Sequence, residues 1–462
     1  VKQLQLNFEI RDRDGMGRIC RLEVNKKIVE TPLLLPVVNA RNEPISCAEM
    51  QKEFKINAFM TNAYLLKKHF FNEVIENGIH NFFNFNGIIV TDSGAFQLKK
   101  FGNIDVSNKE MIEFQEKIEP DIGVILDTPT KSEEIDEAKR SVRETLKSAR
   151  EWKRISKKKI AWCGPIQGGI FNSLLKESCR EMKKLGFQIY SVGIPFTYYE
   201  NYEFEKIIKI CLNAKINLPV SKPLHTFGAG HPILFPFLSL IGYDIFDSAS
   251  YVLFAKDDRY ITTYGTKKLE EIEYFPCDCR FCSSKKPSDV KEMIREERIK
   301  FLSMHNLSVC LKEINAIKQA IKENRLWEMC KIRSFTHPYL YKAFKFLLKK
   351  SNFFENFEPI RKRSSIFLFD EDDFNRPEIK RAMKRIKERF NSNKIPNSLK
   401  NYTYPFCQLL GINPFKSILK QKKEIQIIRD IAEFQFGKGI GKFLFPDDVR
   451  IVKSKKTDRI QK

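Results

Sequence analysis

No run of about 18 apolar residues occurs anywhere in the chain, so no segment reads as a membrane-spanning helix. The opening residues, Val1-Lys2-Gln3-Leu4-Gln5-Leu6-Asn7, lack the continuous apolar core of a secretory signal, and a cytoplasmic location is expected. Internal repeats are missing too, which argues against a solenoid or propeller. The cysteines do not follow the pattern of a disulfide scaffold: Cys20, Cys47, Cys163, Cys179, Cys211, Cys310, Cys330 and Cys407 are scattered, as buried free thiols of a reducing compartment are. Acidic residues are in deficit, 58 Asp and Glu against 81 Lys and Arg, for a net charge of +23. An excess of that size attracts polyanions, nucleic acid first among them, although a Lys-, Ile-, Phe- and Asn-rich composition gives the same sign without such a partner. Disorder is excluded by 39 Phe and a hydrophobic share of 42%, enough apolar surface for a large core.

Residues 5–30 read as a β-hairpin turning at Asp14-Gly15-Met16-Gly17. After it, short apolar runs alternate with amphipathic stretches. The runs are Leu33–Val38, Ala58–Thr61, Ile88–Thr91, Ile122–Leu126, Ile160–Ile166, Phe187–Val192, Leu224–Phe227 and Tyr243–Phe246. Helical patterns such as Lys109–Ile118, Glu133–Ile155, Ser173–Lys184 and Tyr202–Leu212 separate them. Continuous apolar strands alternating with helices form parallel sheets covered on both faces, and eight of them predict a closed (β/α)8 TIM barrel of the α/β class. A metal-binding subdomain is expected at about 270–325, with a long helix from about Asp289 to Asn324, which puts the catalytic unit at 1–333. Beyond Arg333 the texture becomes strongly charged, and a smaller C-terminal region of helices and strands is expected over 334–462.

Cys277-Asp278-Cys279-Arg280-Phe281-Cys282 sets three thiols on one tight loop, and His305 follows on the long helix. Three thiolates and an imidazole complete a tetrahedral Cys3His zinc site with no open position, so the metal is expected to clip the loop to the helix and not to activate water.

In a barrel enzyme the chemistry sits where strands end, at the C-terminal rim. Here the strand ends carry Thr91-Asp92-Ser93, Leu126-Asp127-Thr128, Ile166-Gln167-Gly168, Val192-Gly193-Ile194, Gly230-His231-Pro232 and Phe246-Asp247-Ser248. Each residue has a plain structural alternative. Asp92 and Asp247 can cap helices, Asp127 can close an Asx-turn, and His231 is expected to pack. Together they make a different pattern. Two carboxylates flanking a sugar can cleave an N-glycosidic bond, one attacking C1′ while the other shuttles protons. A third carboxylate, Asp127, can accept from N1–H and the amino group of a guanine-like base. Gln167 can meet its O6 side, the backbone of Gly193 or Ile194 can add a donor, and Phe96 can stack on the ring.

The stretches TDSGAFQ, DIGVILDTPT, GPIQGG, FGAGHP, DIFDSASY, KDDRY, YGTKKLEE, YFPCDCRFC and MHNL occur in this order across residues 90–310. With them the sequence resembles tRNA-guanine transglycosylases, specifically the archaeal type. The resemblance implies a zinc-bearing barrel, a homodimer, and exchange of guanine in the D-loop of tRNA (position 15) for 7-cyano-7-deazaguanine (preQ0) through a covalent enzyme–RNA intermediate without ATP. It implies Asp247 as nucleophile and Asp92 as general acid/base. Asp127, Gln167, Gly193 and Ile194 would recognise the base, with Ser93 and Phe96 also against the substrate, and Cys277, Cys279, Cys282 and His305 would hold zinc. Ala95 departs from the Gly or Ser of relatives. An RNA-binding PUA domain, normal in the archaeal type, is expected to be absent from this chain or supplied by a separate polypeptide. Two alternatives stand beside this reading: a queuosine-type enzyme acting at the anticodon, and a non-catalytic tRNA-binding paralogue, which would lack one or more of the three rim carboxylates.

Overall fold

The computed structural model describes residues 6–94, 106–157, 159–359, 362–363 and 370–381. The expected hairpin gains a strand: β1 (Leu6–Asp14), β2 (Gly17–Val24) and β3 (Lys27–Thr31) form one antiparallel sheet. The chain then enters eight strands, β4 (Leu33–Val38), β5 (Ala58–Asn62), β6 (Ile88–Asp92), β7 (Ile122–Val124), β8 (Ala161–Ile166), β9 (Ile189–Val192), β10 (Leu224–Thr226) and β11 (Ile245–Ser248). Every neighbouring pair is parallel, and β11 closes on β4 with Ile245 opposite Leu33, completing the predicted barrel.

Strand sequences explain why both faces are buried. In β8, Ala161 and Cys163 point into the barrel while Trp162 points out to the helices, where Trp152 and Phe187 stack at 4.0 Å. Ile88 and Val90 likewise fill the interior and Ile89 the outer layer. Period-two alternation with apolar residues on both sides gives the continuous runs seen in the sequence. Leu22, Val24 and Val29 of the N-terminal sheet join the inner cluster and plug the barrel at the start of the strands. At that end Arg18 forks onto Asp244, 2.8 Å to each oxygen, and the Asp244 carboxylate also accepts from the Leu224 amide. One buried, fully paired ion pair thus ties sheet, β10 and β11 together. With the foot plugged, the C-terminal rim is the end that remains for a site.

After the barrel, β12 (Arg259–Thr262) and β13 (Gly265–Lys268) form a small hairpin. The single long helix expected from about Asp289 is interrupted: a short helix Pro287–Lys291 precedes Arg295–Glu323. The long helix ends at Asn324, which sits in the left-handed region and whose side chain donates to the Arg13 carbonyl. Helices Leu326–Ser334 and Pro338–Lys349 continue against the barrel through Phe237, Trp327 and Phe344. Most of the expected C-terminal region lies outside the described residues. None of the described helices is long and apolar enough to cross a membrane.

Candidate active site and metal centre

Four consecutive strands of the barrel end in polar side chains on one rim. Asp92 closes β6 opposite Asn62 of β5. Its carboxylate accepts from Asn62 Nδ2 at 3.2 Å and from the backbone of Ser93 and Gly94. Asn62 is fixed in turn because its Oδ1 caps the helix Ala63–His69 through the Leu65 amide. A side chain at Gly94 (φ 94°) would meet Tyr64 Cβ at 2.4 Å, so glycine lets the loop pass this close behind Asp92. Ser93 is fully buried and its hydroxyl has no partner among the described residues, a free polar group beside the carboxylate. Phe96, and the Ala95 departure, lie outside the described residues.

Asp247 lies within β11. The helix that follows, Ser250–Lys256, is not capped by it, so the capping alternative fails. Its Oδ1 instead receives two bonds, from His225 Nε2 at 2.8 Å and from the Gly228 amide at 3.0 Å. Because a carboxylate only accepts, Nε2 must carry the imidazole proton. His225 is buried on β10 with Phe227 edge-on at 4.9 Å. Sequence reasoning passed over His225 and Asn62. The signal for His225 was the polar pair His225-Thr226 inside the run Leu224–Phe227, and a three-residue strand gives too little pattern to tell which of them points inward.

Asp127 and Gln167 meet across the mouth. Gln167 Nε2 donates to Asp127 Oδ2 at 2.7 Å, and its Oε1 accepts from the Thr130 amide and hydroxyl at 3.1 and 3.3 Å. Since the Thr130 amide can only donate, it fixes the Gln167 carboxamide with nitrogen towards Asp127. The Gly193 amide is spent on the Ile166 carbonyl at 2.9 Å, so of the Gly193–Ile194 pair the amide available to a ligand is that of Ile194. Gly193 has another role: a Cβ there would stand 2.3 Å from Gln167 Nε2. His231 packs as expected, accepting from the Ile233 amide through Nδ1.

Burial acts on two of the rim carboxyls. Burial raises Asp92 to about 6, helped by the negative charge of Asp247. Burial, and then the charge of Asp92, raises Asp127 to about 7, against the pull of the Gln167 hydrogen bond. One carboxyl proton is therefore available at the rim near neutral pH, beside the doubly hydrogen-bonded Asp247.

The thiol loop and the long helix meet behind β12. The ligand atoms of Cys277, Cys279, Cys282 and His305 all lie within 4.8 Å of one another. His305 Nδ1 is 3.2 Å from Cys282 Sγ and 3.6 Å from Cys279 Sγ, while Nε2 donates to the Ile261 carbonyl at 2.9 Å. That outer bond selects the tautomer that turns Nδ1 to the sulfurs, as metal-ligating histidines require. Tyr260 stacks on the imidazole at 3.6 Å. Three soft sulfurs and one imidazole nitrogen at these separations fit a four-coordinate metal.

Comparison with known proteins gives matches of one kind. A family model described as queuine tRNA-ribosyltransferase matches residues 12–339, and one described as patch-forming domain C2 of tRNA-guanine transglycosylase matches residues 426–462. The tRNA-guanine(15) transglycosylase of Pyrococcus furiosus is 40% identical over 472 residues, spanning 99% of this chain and 80% of that protein. The protein of the same name from Sulfolobus acidocaldarius is 39% identical over 394 residues, spanning 83% of this chain and 78% of its own length. That from Methanococcus aeolicus is 42% identical over 399 residues, spanning 84% of this chain and 61% of its own length.

Proposed function

The chain belongs to the queuine tRNA-ribosyltransferase, or tRNA-guanine transglycosylase, family, and on that premise we propose that it exchanges guanine 15 of tRNA for 7-cyano-7-deazaguanine through an ester between Asp247 and the ribose. The observation that carries the reading is the pairing of Asp247, held through one oxygen, with Asp92, raised to about 6, on one barrel rim.

In this reaction Asp247 Oδ2, left free by the two bonds to Oδ1, attacks C1′ of the ribose. The C1′–N9 bond breaks and its electron pair stays with the departing guanine, which takes the proton of Asp92. Once Asp247 is esterified its negative charge is gone, so part of the field that held the proton on Asp92 is gone as well. Asp92 is then the base that removes a proton from N9–H of the incoming purine analogue, whose nitrogen attacks C1′ and returns the electron pair to Asp247. No net bond energy is consumed, which fits a reaction without ATP. The base lies in the plane of Asp127 and Gln167. The ionised Asp127 accepts from N1–H and the exocyclic amine, the second Nε2–H of Gln167 faces O6, and the Ile194 amide adds a donor.

Cys277, Cys279, Cys282 and His305 are assigned to one structural zinc ion, which when bound neutralises the thiolates and joins loop to helix. The proposal extends to a homodimer, with an RNA-binding PUA module outside this chain's own described residues. The relatives named for position 15, and the match to a C2 domain after the barrel, support this reading over the queuosine type. The three rim carboxylates support it over a non-catalytic paralogue.

Incorporation of radiolabelled guanine into unmodified tRNA by the purified chain tests the proposal; no incorporation, with or without added PUA-bearing protein, would sink it. Asp247→Asn is expected to lose the denaturation-resistant protein–RNA adduct. An adduct that survives moves the nucleophile to Asp92.

A further inference from the structure

The helix Ile135–Ile155 buries Ala138, Val142, Thr145, Leu146, Ala149 and Trp152 against the barrel. On the opposite side Arg140, Arg143, Lys147, Arg150 and Arg154 recur every three or four residues, all exposed. Glu137, Glu144 and Glu151 recur every seven residues along one edge of this stripe, three or four residues from its cations, and Glu151 accepts from Asn108 at 2.8 Å. Arg143 makes only an exposed pair with its neighbour Glu144, and Lys147, Arg150 and Arg154 have no ion pair among the described residues. Lys147, Arg150, Lys153 and Arg154, with Leu185 of the adjacent helix Asn172–Leu185, line one shallow hollow of about 440 Å³ that contains no carboxylate. Lys153 is held there by its bond to the Leu185 carbonyl at 2.9 Å.

Like charges three and four residues apart repel along a helix, and three Glu along one edge of five cations offset only part of that repulsion. The helix begins just after the loop bearing Asp127 and descends the barrel wall, so Arg140 to Arg154 covers about 21 Å from near the rim towards the foot. That is the course of a polymer already engaged at the rim, not of an isolated anion. We infer that this cationic wall binds the phosphodiester backbone of the tRNA outside the exchanged nucleotide. The inference rests on the reading of the protein as a tRNA-guanine transglycosylase.

The test is the triple variant Lys147→Ala/Arg150→Ala/Arg154→Ala in the full chain, whose three side chains are exposed and support no buried contact. With a full-length unmodified tRNA transcript, affinity should fall by about 10- to 100-fold near 0.1 M salt, and the slope of log affinity against log salt should shrink by about 2 to 3. Guanine exchange on a short D-arm hairpin, which occupies the rim alone, should keep its wild-type rate. Unchanged tRNA affinity and salt slope would overturn the inference, as would an equal loss on the hairpin. Loss of binding to anionic phospholipid vesicles with tRNA binding intact would also overturn it, by assigning the wall to a membrane surface. If the wild type exchanges no guanine into either RNA but its tRNA binding still depends on these three cations, the enzymatic reading fails and the RNA-binding wall stands.

Discussion

At the scale of single residues, Asp247 has one oxygen spent and one free. His225 supplies half of that asymmetry. His225→Phe should lower kcat by about 10- to 100-fold with little change in the KM for tRNA, because it removes orientation and leaves RNA binding alone. His225→Gln, which restores a donor, should recover part of the loss in the same single-turnover assay. A purely structural role predicts equal damage from both and a loss of folded protein in circular dichroism. The raised carboxyls set the pH profile. The proposed mechanism calls for a protonated Asp92, favoured below its value of about 6, and an ionised Asp127, favoured above its value of about 7. The rate is therefore expected to peak between these values and fall on both sides. Asp127→Asn should remove the acid limb. A flat profile from pH 5 to 8 would rule out this assignment of protons. Gly193→Ala should raise the KM for the free base by displacing Gln167, since the added methyl group would overlap its carboxamide nitrogen.

At the scale of elements, the proposed metal would matter most to the thiol loop, whose own packing is thin. Cys282 is the one fully buried thiol of the four-ligand set, and Cys277 and Cys279 are half-exposed. Three sulfurs and an imidazole nitrogen crowd within 4.8 Å there, with the Tyr260 hydroxyl 3.3 Å from Cys282 Sγ and the Cys279 amide 3.4 Å from Cys277 Sγ. Cys279→Ser should reduce bound zinc well below one per chain by elemental analysis and lower the Tm of the whole protein. Because the site has four protein ligands and stands apart from the rim carboxylates, protein that remains folded should retain guanine exchange. Abolition of exchange in protein shown to be folded would instead give the metal a part in the chemistry. The spacing of the ligands was legible in the sequence, since three cysteines within six residues have few other uses. The break between Pro287–Lys291 and Arg295–Glu323 was not, because both stretches carry helix-forming residues and the interruption is set by how the short helix packs against the loop.

At the scale of the whole molecule, segments far apart in sequence meet in one buried charge network. Lys362 Nζ reaches Asp14 of the N-terminal sheet at 2.5 Å and Glu358 at 2.7 Å, and Glu358 accepts from Trp327 at 2.6 Å. Each of these ionic side chains is almost completely buried. Removing the cation alone leaves two carboxylates without their counter-charge in a poorly solvated site. Lys362→Met is expected to cost about 3 to 5 kcal/mol of unfolding free energy, read from urea denaturation. Replacement of Lys362, Asp14 and Glu358 together by apolar residues of similar volume should cost far less. Equal losses in the two variants would show that packing and not charge holds this junction. No pattern around residue 362 announces such a role, for a lysine in a basic stretch looks the same whether it is solvated or buried.

The sequence by itself determined the barrel, its eight strands and the cysteine–histidine metal set, because strand alternation, helix periodicity and ligand spacing are local and repeat along the chain. It also named Asp92, Asp127, Gln167 and Asp247, since polar residues at the ends of apolar strands have nowhere to go but the rim. Tertiary structure alone decided their partners and surroundings. His225 and Gly228 come to one oxygen of Asp247 through the pairing of β10 with β11, and Thr130 orients Gln167 from another strand end. Burial raises both Asp92 and Asp127, with the charge of Asp247 adding at Asp92 and that of Asp92 adding at Asp127. These are properties of distances between strands, and distance between strands is what a linear sequence does not carry.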